Sequence, residues 1–140
     1  MAAVERSATA QRPAMPPGYE IVAAGITHVG GTALVAGDFC YLDGDDGWKV
    51  ATADEARTEQ CAFAAQDYAA TERGISMLIE GEIDNYADAL VPGAPLYPGA
   101  VAGDLDDAPA VTAYVTTPDI DIPDQPRIWA ATATRIRFRL

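Results

Sequence analysis

The sequence predicts a small all-β domain, a barrel or sandwich, with one short helix and an extended N-terminal arm. Three observations predict it. From Ile21 onward, Gly, Pro or Asp clusters interrupt the chain every 8 to 12 residues, and short β-branched and aromatic runs lie between them. The 140 residues are 49% hydrophobic and 21% charged, enough for one apolar core and too few for two domains. No repeat of 20 to 50 residues is visible, which excludes solenoids and propellers.

Residues 1–20, MAAVERSATAQRPAMPPGYE, have neither helical nor strand period, and Pro13, Pro16 and Pro17 hold such a segment extended. This is the arm, and residues 21–140 are the β-rich domain. Strands are expected at 21–28, 32–36, 38–43, 48–51, 61–66, 75–80, 82–86, 95–98, 110–117, 127–131 and 134–139. Asp43-Gly44-Asp45-Asp46-Gly47 between two of them carries the residues that a tight hairpin turn requires. The stretch 53–70 admits two readings: Thr52 and Glu55 form a capping box, and the alanines after it suit either a long helix or a short helix followed by a strand. At the end of the chain, Ile136, Phe138 and Leu140 alternate with Arg135, Arg137 and Arg139, the period of a half-buried strand.

Charge narrows the function. With 21 acidic and 9 basic side chains the net charge is -12, which argues against nucleic acid as a partner. Four of the basic residues, Arg127, Arg135, Arg137 and Arg139, fall in the last 14 residues, where there is no acid. That asymmetry points first to neutralisation of the chain's own acidic strands, and second to an acidic partner surface. The uncharged run from Ile21 to Gly37 is broken by glycines and His28, so no membrane span is expected. Glu5 and Arg6 interrupt any signal-peptide core, and the cysteines are expected to be reduced.

Residues with chemical potential are few. Cys40 and Cys61 lack the paired spacing of a zinc site, and Cys40 reads as a small buried side chain between Phe39 and Tyr41. His28, the single histidine, has no ligand-spaced partner and reads as structural. Asp43, Asp45, Asp46 and Asp54 fail the calcium-loop pattern because glycine stands at Gly47, where an oxygen ligand is required, and aspartate at Asp54, where a bidentate glutamate is required. Glu80, Glu82 and Asp84 alternate on one strand face and suit a wet face better than a glycosidase pair. Asp104, Asp106 and Asp107, like Asp119, Asp121 and Asp124, read as loop carboxylates. With only Ser7 and Ser76 as serines, no nucleophile–base set assembles, and neither enzyme activity, cofactor nor metal is expected.

The run GDFCYLDGDDGWKVATAD (37–54), then CAFAAQDYAATERGISMLIEGEID (61–84), LVPGAPLYPGAVAGDL (90–105) and RIWAATATRIRFRL (127–140) resembles the head decoration, or capsid cement, proteins of tailed bacteriophages. The features that carry the resemblance are Gly37-Asp38, Asp46-Gly47-Trp48, Ile79-Glu80-Gly81 and, most specifically, Pro92-Gly93-Ala94-Pro95-Leu96-Tyr97. The sequence departs from the family at Ala62, where a glycine is expected, and in its arginine-rich ending. The resemblance implies a β-tulip-like barrel, with a short helix over 53–59 and a strand from Cys61.

It also implies a structural virion protein on the outer capsid surface, present in the host cytoplasm during assembly. The partners implied are the major capsid protein and two further copies in a homotrimer. The expected capsid-binding arm uses Arg6, Arg12, Pro13, Pro16, Pro17 and Tyr19. Self-association is expected through Leu90, Val91, Leu96, Tyr97 and Val101, apolar residues set among turn residues. The alternative is a receptor- or glycan-binding module of a fibre or tail, presenting Trp48, Tyr86 or Tyr97.

Overall fold

The computed structural model describes residues 4, 21–22, 28–44, 46–56, 59–108 and 128–140. Nine strands lie in these residues: β1 (Ile21–Val22), β2 (Phe39–Leu42), β3 (Trp48–Val50), β4 (Cys61–Ala64), β5 (Met77–Ile83), β6 (Pro95–Pro98), β7 (Leu105–Asp106), β8 (Ile128–Ala130) and β9 (Ile136–Arg139). They form one curled antiparallel sheet in the order β3-β2-β4-β5-β9-β8-β6-β7, with β1 paired to β5 off that path. The all-β expectation holds, and one short helix, α1 (Ala53–Ala56), accompanies the strands.

Curling gives the sheet an inside and an outside, and alternation assigns the side chains. Phe39, Phe63, Leu78 and Phe138 face inward with Leu96, Leu105, Ile128 and Ile136. The Phe63 ring meets Phe39 edge-on at 5.3 Å and Phe138 tilted at 4.5 Å, so three strands are locked through one aromatic. The opposite face of β2, β3 and β4 is also buried. There Cys40, Trp48, Ala62, Ala64 and Met77 are covered by Val29, Leu34, Tyr68 and Ile75. Double burial explains why FCYL and CAFA are nearly continuous apolar runs.

Local chemistry sets the joints. The β2–β3 hairpin closes through Asp46 N–H to Asp43 O at 2.8 Å and Asp43 N–H to Gly47 O at 3.0 Å. Gly47 has φ +97°, and a Cβ there would lie 2.6 Å from His28 O, so only glycine fits. Thr52 Oγ1 donates to Glu55 Oε2 at 2.7 Å and accepts from Asp54 N–H at 3.3 Å, and these contacts cap α1.

Several boundaries differ from expectation. No strand spans 32–36, where Leu34 makes only an isolated bridge to Tyr68, because that segment lies over the sheet as a cover. The two strands expected at 75–80 and 82–86 are one strand, β5, since Gly81 continues the ladder opposite Phe138. β7 lies where the sequence predicts no strand, as two residues are too few to show a period. The described part of the helix expected at 53–59 is Ala53–Ala56; residues 57–58 lie outside the described residues, and Glu59 N–H donates to Glu55 O at 2.9 Å. The expected strand at 110–117 and the middle of that at 21–28 lie outside the described residues.

Candidate functional site

The arginines of β9 and the acids of β5 share the outer face of the sheet. Glu80 is registered with Arg139, and Arg139 Nε reaches Glu80 Oε1 at 3.2 Å. Arg135 sits between two carboxylates, 3.6 Å from Glu82 and 3.3 Å from Asp84. Its hydrogen bond holds the Asp84 carboxyl below the usual carboxylate range, and the backbone N–H of Asn85 acts in the same direction. Arg137 stands opposite Trp129, with its guanidinium carbon 5.8 Å from the centre of that ring. Arg135 and Arg139 therefore offset carboxylates of the neighbouring strand and its end, and Glu80, Glu82 and Asp84 are ion-pair partners.

The hairpin carboxylates are held in the same way. Lys49 Nζ lies 2.6 Å from Asp43 and 3.7 Å from Asp46, and the hydrogen bond to Asp43 raises the lysine's pKa. Burial, followed by the charge on Asp43, pushes the nearby Tyr41 hydroxyl up. Among the described residues no group of three or more His, Cys, Asp or Glu side chains could hold a metal. His28 bridges Arg73 in backbone pairing, and its carbonyl accepts the Trp48 N–H at 3.0 Å.

A cleft of about 210 Å³ opens beside β4 and β6, lined by Phe39, Cys61, Leu96, Tyr97, Ile128 and Leu140 among others. It is below the ~300–1,000 Å³ of small-molecule sites. Cys61 Sγ on its wall donates to Glu59 O at 3.4 Å.

Two sets of expected surface residues are corrected. Leu90 and Leu96, expected in a self-association loop, belong to the inner core, because the loop folds back on β8: Gly93 N–H donates to Ala130 O at 2.7 Å and Leu90 N–H to Ala133 O at 2.9 Å. Tyr97 is half-buried at the cleft. Val91 and Val101 are exposed, at 68% and 60%. Trp48 and Tyr86, expected as exposed aromatics, are 1% and 0% exposed.

The arm residues Arg6, Arg12, Pro13, Pro16, Pro17 and Tyr19 lie outside the described residues. Val4, which is described, donates its backbone N–H to Leu105 O at 2.8 Å and packs against the inner core.

Sequence reasoning also passed over a four-residue repeat. Val35-Ala36-Gly37-Asp38 recurs as Val101-Ala102-Gly103-Asp104. Both copies are tight turns, in which Asp38 N–H reaches Val35 O at 2.9 Å and Asp104 N–H reaches Val101 O at 3.1 Å. In both, the third residue is a glycine with positive φ, 84° and 88°, as a type II turn requires. The turns adjoin, because Phe39 N–H donates to Gly103 O at 3.0 Å and a Cβ on Gly103 would stand 3.1 Å from Asp38 Oδ1. A search for periods of 20 to 50 residues cannot register so short a match.

Comparison with family models, with curated proteins and with solved structures finds no match to this chain. Fold and surface together describe a small all-β domain whose outer face is closed by ion pairs and whose exposed valines sit on loops.

Proposed function

We propose that the protein is a structural component of a tailed-bacteriophage particle, a decoration protein that binds the outer capsid surface and stabilises the shell, with copies gathered around a three-fold axis. The observation that carries this reading is the order of the family's motifs along an all-β scaffold. Gly37-Asp38 immediately precedes β2, Asp46-Gly47 precedes Trp48 at the start of β3, Ile79-Glu80-Gly81 lies within β5, and Pro92-Gly93-Ala94 leads into Pro95-Leu96-Tyr97 of β6. The commitment of Glu80, Glu82 and Asp84 to arginines supports a role in binding over one in catalysis.

The test is removal of the gene from a phage that carries it, followed by a cryo-EM reconstruction and a heat challenge of both particles. The expected result is loss of density from the outer shell and earlier rupture. Density missing from the tail or fibres instead, with the shell unchanged, would replace this reading with that of a receptor- or glycan-binding module.

A further inference from the structure

The last rung of the β2–β3 ladder is held open. The two strands are registered as far as Cys40 opposite Val50, which puts Phe39 opposite Ala51. Antiparallel pairs alternate between those that exchange both backbone hydrogen bonds and those that exchange neither. Counting back from Asp43, whose N–H donates to Gly47 O, the 39–51 pair is of the exchanging kind, and one of its bonds is made: Ala51 N–H reaches Phe39 O at 2.8 Å. In place of the other, Gly103 is inserted. It accepts the Phe39 N–H at 3.0 Å and donates its own N–H to Ala51 O at 2.8 Å, so three residues from distant parts of the chain form a closed ring of backbone donors and acceptors. Gly103 belongs to the loop 99–104 between β6 and β7, and that loop is braced from within. Gly99 N–H donates to Asp104 O at 2.9 Å, Asp104 N–H to Val101 O at 3.1 Å and Ala100 N–H to Asp106 Oδ2 at 3.3 Å. A further bond ties it across to α1, from Ala53 N–H to Gly99 O at 2.9 Å. Its outer residues Ala100, Val101 and Ala102 are exposed and add little burial to hold it down. Position 103 itself requires glycine, since φ is +88° and a Cβ would stand 3.1 Å from Asp38 Oδ1.

We propose that loop 99–104 is a releasable strap and that the 39–51 rung is a two-state element. Latched, the rung carries the Gly103 peptide between its strands. Released, the Phe39 N–H closes on Ala51 O, and the ladder gains the bond that its register prescribes. The closing rung offsets part of the loss: among Phe39, Ala51 and Gly103 two bonds are given up and one is formed, while the freed Gly103 peptide turns to water. Because the strap keeps its internal bonds, it leaves as a unit and the sheet stays folded behind it. The protein then has two forms of one surface, a fixed loop beside an open rung and a free loop beside a closed one. This device is independent of the capsid reading, because it is measured in the free protein.

The experiment is native-state amide hydrogen exchange on the free, full chain, read residue by residue by NMR. Ala64, whose N–H donates to Asp38 O at 3.0 Å on the β4 side of β2, reports opening of the sheet itself. The expected result is protection at least ~10-fold lower at Gly103 than at Phe39, because release exposes the Gly103 N–H while the Phe39 N–H passes to Ala51 O. Gly103→Ala favours release, since the strain of a side chain at φ +88° exists only while the strap is latched. In that variant exchange at Ala53 should rise at least ~5-fold, with Phe39 and Ala64 unchanged. Equal protection at Gly103 and Phe39 in the unmodified protein would overturn the proposal, whatever the variant does. A rise at Phe39 matching that at Ala53 in the variant, with Ala64 unchanged, would overturn it as well, because the strap would then leave and the rung stay open.

Discussion

Replacing Arg135 by methionine keeps most of the apolar stem and removes the charge that Glu82 and Asp84 share. The three groups are partly exposed, with side-chain exposures of 35%, 20% and 32%, so each ion pair falls in the ~0.2–1 kcal/mol range of solvent-screened pairs. Two pairs, together with the repulsion then left among Glu80, Glu82 and Asp84, give a loss of about 1–1.5 kcal/mol. For a domain of this length that corresponds to a melting temperature lower by about 3–6 °C. The pH dependence has a definite sign. Arg135 depresses the folded-state pKa of Asp84, so its stabilisation is present above the unfolded pKa and fades as pH falls through the folded one. Differential scanning calorimetry of both proteins should therefore show the deficit in full at pH 7 and a progressively smaller one as the pH falls below the ordinary aspartate pKa. A deficit that does not shrink at all as the pH is lowered through the carboxylate range would refute the electrostatic account and leave lost packing as the cause.

Three further outcomes are expected. Phe63→Ala, which empties the junction between Phe39 and Phe138, should cost about 3–5 kcal/mol in urea denaturation; a loss under 1 kcal/mol would mean that the rings are not mutually supporting. Gly47→Ala places a Cβ 2.6 Å from His28 O at φ +97° and should cost about 2–4 kcal/mol, whereas Gly44→Ala, with φ +49° and open space around it, should cost only about 1 kcal/mol. Thr52→Ala removes the cap of α1 and should cost about 1 kcal/mol, with faster amide exchange at Asp54 as the local signature.

What the sequence determined by itself is what short-range chemistry encodes. Period-2 alternation assigned Ile136 and Phe138 inward and the arginines outward, because strand geometry alone sends neighbouring side chains to opposite faces. The Asp-Gly turn before Trp48, the Thr52–Glu55 cap and the strand at Pro95–Pro98 were legible for the same reason. Only the tertiary structure decided what lies beneath what. Trp48 and Tyr86 looked available as contact aromatics and are buried because segments distant in sequence close over them. Leu90 and Leu96 sit among turn residues yet reach the core, since the hydrogen bonds from Leu90 and Gly93 to the β8–β9 hairpin fold their loop inward. The pairing of Arg135 with both Glu82 and Asp84, and the meeting of the two Val-Ala-Gly-Asp turns, depend on sheet register and curl. Those are set by the packing of the whole core, and no local window of sequence contains them.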